Sequence, residues 1–205
     1  MTAPVLAGTP EPETISTTQA LTAEELQQAR VFLEQTQNLV VGVTKGLSGL
    51  QWKFKPAADR WSIAENLDHI VIVQERVLGP ILEQLATAPP PPAGFNRKSV
   101  DAIVIHQFPS RLMKFTAPEF VRPMDQIDPI ELLNRLIANY SRLSDFLESK
   151  PGLRQHATEA PPMKVVSKGV FEVMDGYQWI LAAAAHAERH AKQMLEVKAN
   201  AAYPA

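Results

Sequence analysis

The chain has 205 residues, 45% hydrophobic and 20% charged, with a formal net charge of −2. That size and balance suit one domain with a substantial core, and the absence of any Lys/Arg block excludes a nucleic-acid binder. No cysteine is present, which excludes disulfides, Cys-ligated zinc and thiol nucleophiles together and fits a reducing compartment.

Residues 1–20 are rich in Pro, Thr and Glu. They have no basic stretch followed by an apolar run, so they read as a tail and not as a signal peptide. No segment approaches the roughly 20 apolar residues of a membrane span. The expectation is a cytoplasmic protein with neither membrane nor nucleic acid as partner.

The first helix opens on a capping box, Thr22 with Glu25, flanked by Leu21 and Leu26 as a hydrophobic staple. It should run from Ala23 to about Lys45, with Gly46 or Gly49 as the left-handed terminus. Residues 50–61 form a connection. A second box, Ser62 with Glu65, opens a helix carrying the stripe Ile63, Leu67, Ile70, Val77, Leu78, Ile81 and Leu85. It stops before Pro89, where the Pro-rich run 88–94 should be extended.

Residues 95–128 are irregular, with a short helix over Val100–Phe108 and breaks at Pro109, Pro118 and Pro123. A connection of that length implies a crossover along a bundle or a flap. Asp128, Pro129 and Glu131 then start a third helix, as N-cap, N1 proline and acidic N3. It ends at about Lys150, before Pro151-Gly152. After a loop over 151–173, a fourth helix begins near Met174–Asp175 and reaches about Ala199, leaving 200–205 as a tail. No run alternates in the manner of a strand. The pattern predicts an all-α four-helix bundle over 21–199, with a long crossover between the second and third helices.

His186 and His190 stand four apart, so on a helix both rings project from one face, with Trp179, Ala183, Gln193 and Val197. Glu188, Lys192 and Glu196 fall on roughly the opposite side. Such a pair suits two neighbouring positions of a metal ion. Spacing alone leaves a hydrogen-bonded pair equally open. Position 187 is Ala, so the HExxH protease motif is absent. An ideal wheel sets His69 beside Val73, off the centre of the apolar stripe, which by itself describes a boundary residue. His106 and His156 read as solvated loop residues. Trp61, Trp179 and Met194 read as packing residues.

The di-iron carboxylate pattern requires two Glu-x-x-His pairs. Asn66, Ala183 and Ala187 occupy the positions three before the histidines, so that pattern is excluded. No G-x-S-x-G and no glycine-rich phosphate loop occurs.

The segments FKPAADRWSIAENLDHI (54–70), KFTAPEFVRP (114–123) and MDGYQWILAAAAHAERHAKQMLEVK (174–198), in this helix order, resemble the DinB/YfiT-like superfamily. The resemblance spans most of 22–199. It implies an up-down-down-up four-helix bundle in which three histidines hold one divalent ion, zinc or nickel among others. The matching positions are His69, His186 and His190, and all three are filled. It also implies a homodimer, and an activity as a metal-dependent hydrolase or as a thiol-dependent S-transferase acting on a small molecule. A metal-binding bundle without turnover and a metal-free dimeric interaction domain are the alternatives. Asp68 and Glu65 are the candidates for supporting His69. Because ligand imidazoles must be neutral, metal is expected to leave as pH falls through about 6.

Overall fold

The computed structural model describes residues 20–124 and 126–205. Apart from Ala20, the expected N-terminal tail lies outside them. The first helix, α1 (Ala23–Thr44), opens as its sequence dictates. Thr22 Oγ1 accepts the Glu25 N–H at 3.1 Å, and the Glu25 carboxylate accepts the Thr22 N–H at 2.8 Å. Beyond the C-cap Lys45, Gly46 turns the chain with φ +69°, a conformation that costs glycine nothing.

A short helix, α2 (Gly49–Lys53), lies inside the expected connection. Its signal is a third capping box, Ser48 with Gln51, which was legible in the residues. The second long helical segment is continuous but not uniform. It consists of α3 (Ile63–Val73), a π turn (Gln74–Leu78), α4 (Gly79–Gln84) and a 3₁₀ turn (Leu85–Thr87). Pro80 accounts for the irregularity, since in a straight α-helix its ring would collide with the carbonyl of residue 76. The wider π turn, closed by the Gly79 N–H on the Gln74 carbonyl, absorbs the misfit.

The crossover contains α5 (Arg97–His106), which begins earlier than expected because Asn96 caps it. A 3₁₀ turn (Glu119–Val121) follows further on. His106 is therefore the last residue of a helix and not a loop residue, although it is exposed. The third long helix, α6 (Pro129–Ser149), has Asp128 as N-cap and Pro129 at N1, as read.

The loop before the last helix holds two elements that periodicity missed. One is α7 (Pro161–Val166). The other is an antiparallel ribbon of β1 (Ala157–Glu159) and β2 (Val173–Asp175), in which Ala157 pairs with Asp175. Three-residue strands are too short for alternation to register. His156 is not solvated as expected: it is half-buried, and its Nδ1–H donates to the Ala88 carbonyl at 2.6 Å.

The last helix, α8 (Gly176–Lys198), is the hub of the bundle. It packs against α1, α3 and α5, while α6 packs against α1 and α3, so α1 and α3 take opposite flanks. Its buried alanines (182–185, 187 and 191) let neighbours approach closely. Gly176 is required where it stands: a Cβ there would come 2.2 Å from a Leu85 methyl and 2.9 Å from a Leu153 methyl. Beyond α8 the chain turns back, with Tyr203 edge-on to Phe54 at 5.5 Å and the Pro204 carbonyl accepting from Gln51. Among the described residues no helix is long and apolar enough to cross a membrane.

Candidate metal centre

The fold brings His69 of α3 together with His186 and His190 of α8. Ring centroids lie 5.0 Å apart for His69–His186, 4.7 Å for His69–His190 and 4.5 Å for His186–His190. One ligand nitrogen from each falls within 4.8 Å of the other two. The four-residue spacing on α8 sets the last pair, and the packing of α3 on α8 brings in the third.

His69 departs from its helical-wheel position. It is only 5% exposed. A wheel assumes one buried face, whereas nearly every residue of α3 is buried, covered by α2, α6, α8 and the 3₁₀ turn of the crossover. Burial lowers its pKa, partly offset by the Val121 carbonyl and the negative charge of Asp68.

The ring protons are set by partners. His69 Nδ1 lies 2.7 Å from the Val121 carbonyl oxygen, which can only accept. The proton therefore sits on Nδ1, and Nε2 of the neutral ring carries a free lone pair. Asn66 does the same for His190. Its Nδ2 donates to the Ser62 carbonyl at 2.8 Å, which leaves Oδ1 to accept from His190 Nδ1 at 3.0 Å. Two Nε2 lone pairs are thus directed away from these supports.

His186 completes the set. Its Nε2 lies 3.2 Å from His69 Nε2, and its Nδ1 is buried without a hydrogen-bond partner among the described residues. Burial pushes the pKa values of His186 and His190 well below the ordinary imidazole range, and the neighbouring rings push them further. Three neutral imidazoles converge here with coordinating capacity unused, and a buried polar atom without a partner is costly. A divalent ion bound by nitrogen ligands would satisfy them together. The donor set fits such an ion.

Of the supports anticipated for His69, Asp68 acts on the ring through its charge. Glu65 caps α3 and pairs with Lys55 at 2.8 Å, and Asp68 Oδ2 accepts the Met124 N–H at 2.7 Å. The ring partners are Asn66 and a backbone carbonyl. Asn66 sits one turn before His69, where a di-iron protein would carry Glu, yet it serves the histidine of the other helix. Only tertiary packing could reveal that.

Trp61 is more than packing. Its ring lies 5.9 Å from His190 at an interplanar angle of 26° and 4.8 Å from His69. The same indole lines a groove of about 420 Å³ with Arg60, Gln193, Glu196 and Asn200 among its walls. The groove therefore reaches to the aromatic wall beside the imidazoles.

Residues 33–194 match the DinB superfamily, and the chain belongs to that family. Among curated proteins, it is 28% identical over 155 residues to YuaE of Bacillus subtilis (strain 168), described as uncharacterized; the match covers 75% of this chain and 87% of YuaE. Among solved structures it is similar to YfiT from Bacillus subtilis, with a TM-score of 0.57, 11% identity and 93% of each chain covered. YfiT is described as a probable metal-dependent hydrolase with an unusual four-helix bundle topology. At that identity the likeness establishes the fold alone.

Proposed function

We propose that the protein binds a divalent metal ion on His69, His186 and His190 and uses it in metal-dependent hydrolysis of a small molecule. One observation carries this reading: three imidazoles converge, and the two that are buried, His69 and His190, have ring protons already committed outward to Val121 and Asn66. The description of YfiT is consistent with it. Three protein ligands leave a coordination position open, and a divalent ion there supplies Lewis acidity and can lower the pKa of water toward about 7. The chain's own residues hold the imidazoles neutral and oriented, and Trp61 screens His69 and His190 on the groove side. The groove walls offer a guanidinium (Arg60), an amide (Gln193) and a carboxylate (Glu196) to a polar substrate.

Elemental analysis of protein prepared without a histidine tag tests the metal, with His186→Ala as the control that should come out empty. Ester and amide panels then test hydrolysis, and a thiol panel tests S-transfer at the same position. Metal without turnover in any panel would reduce the reading to a metal-binding bundle. A homodimer, implied by the family resemblance, a cytoplasmic location and a single bundle domain over 21–199 belong to the same proposal. Light scattering checks the first.

A further inference from the structure

Residues 110–124 form a strap across the metal centre, and its attachment is unusual. Its large apolar side chains face outward: Leu112 is 95% exposed and Phe120 61%, with Met113, Phe115 and Met124 also exposed. Val121 is the one that is buried. Hydrophobic burial therefore does little to hold the strap, and polar contacts hold it instead.

Arg76 donates to the Phe120 carbonyl at 3.2 Å, and several of the other contacts fall on the candidate ligands and their immediate neighbours. His69 donates to the Val121 carbonyl, and the adjacent Asp68 accepts the Met124 N–H. At the other end Arg189, between the two ligand histidines of α8 and next to His190, donates to the carbonyls of both Ser110 and Met113. Its guanidinium also lies 4.9 Å from the Phe115 ring centre. Arg111 ties the start of the strap to Glu196 on the groove wall at 3.0 and 3.1 Å.

Arg189 is only 6% exposed and, among the described residues, forms no ion pair. A buried arginine directed at two backbone carbonyls suits a planar fork that fixes chain geometry, which a lysine cannot reproduce. The strap then passes that geometry to His69 through Val121. We infer that Arg189 is a positioning residue for the metal, pinning the 110–124 strap so that the Val121 carbonyl holds the His69 ring in its coordinating orientation. This rests on the metal-binding reading above. It adds a linkage: metal binding and strap order favour one another, because both need the same His69 orientation.

The test is a double-mutant cycle on metal affinity, read by Co²⁺ titration of the full chain. Arg189→Met keeps the apolar stem and removes both donors. It should weaken Co²⁺ binding by about 10-fold or more, the usual effect of losing an outer partner of a metal ligand. In a His69→Ala background the same change should have almost no effect. Hydrogen exchange gives a second readout: Co²⁺ should slow the strap amides in the parent but not in Arg189→Met.

A loss below about 10-fold, an equal loss in the His69→Ala background, or unchanged strap protection would each overturn the inference while leaving the metal site standing. Failure of the parent itself to bind Co²⁺ would overturn the metal reading and this inference with it. If far-UV circular dichroism shows Arg189→Met unfolded, Arg189→Lys takes its place and is read by its dependence on His69 alone: a loss of Co²⁺ affinity that vanishes in the His69→Ala background supports the inference, and no loss, or an equal loss in that background, overturns it.

Discussion

Two buried arginines mark regions of opposite character along α8. Near its N-terminus Arg154 reaches Glu25 and Asp101 at 2.7 Å and Asp175 at 3.0 Å, and lies 4.0 Å from the Tyr177 ring centre. Burial opposes its charge, but Asp101 and Asp175 outweigh that and raise its pKa. Further along, Arg189 meets carbonyls and an aromatic face, and burial together with the charge of Arg111 lowers its pKa, partly offset by Glu196. In the first region polar groups satisfy one another and join α1, α5, α8 and the 151–156 loop. In the second, beside Arg189, three imidazoles crowd together, and among the described residues His186 Nδ1 is buried with no hydrogen-bond partner. The first arrangement is that of a structural joint, and the second is that of a site prepared for a ligand.

The comparison breaks if the two regions respond alike. The largest effect is expected from Arg154→Met, which strands three carboxylates in and around the interior. Loss of one partner of a buried ion network costs about 3–5 kcal/mol. Urea denaturation should show that loss, while the metal affinity of the folded fraction should stay within about 2-fold, because additivity holds for sites without shared partners. A parallel loss of metal would join the regions and refute the distinction.

Next in size, His186→Ala or His190→Ala should weaken metal binding more than the roughly 100-fold upper range for outer partners, with far-UV circular dichroism nearly unchanged. If either variant binds metal as tightly as the parent, these histidines are not ligands. Asn66→Ala should be milder, about 10–100-fold in metal affinity, because His190 loses the acceptor that sets its tautomer. Equal affinity in that variant would show that His190 needs no such guide.

The smallest effect is in the pH dependence of the metal-free protein. The depressed imidazole pKa values favour the neutral rings in the folded state. Their contribution is full above the ordinary value of 6.5 and is lost as pH falls toward the lower folded values. Metal release should accordingly need a pH below the value of about 6 expected for unperturbed histidine. Asp175 works in the opposite sense. Burial pushes it up to about 6, so its contribution declines as pH rises from its ordinary 3.8 to about 6. Asp175→Asn should therefore steepen the rise of stability with pH between 4 and 6 in equilibrium unfolding with a chelator present. An unchanged slope would mean that Asp175 does not titrate there.

The ends of the four long helices could be read from local chemistry. Thr22–Glu25, Ser62–Glu65 and Asp128–Pro129 set helix starts through atoms at most a few residues apart. The same logic applies to α2, whose capping box is Ser48 with Gln51. The irregularity at Pro80 and the three-residue strands are harder to read, since they depend on how a helix accommodates a ring and on pairing between residues as far apart as Ala157 and Asp175. Within the candidate site, the His186–His190 pair was plain from its spacing, but His69 needed the family resemblance, because α3 is buried on all sides and its wheel position misleads.

Where the long helices begin and which two imidazoles share a helix face are local matters of capping and period, and so can be read along the chain. That His69 meets them, that Asn66 serves His190 and that the Val121 carbonyl accepts from His69 follow from packing. Those contacts join residues 52 to 124 positions apart, and no local propensity encodes which distant groups packing will bring together.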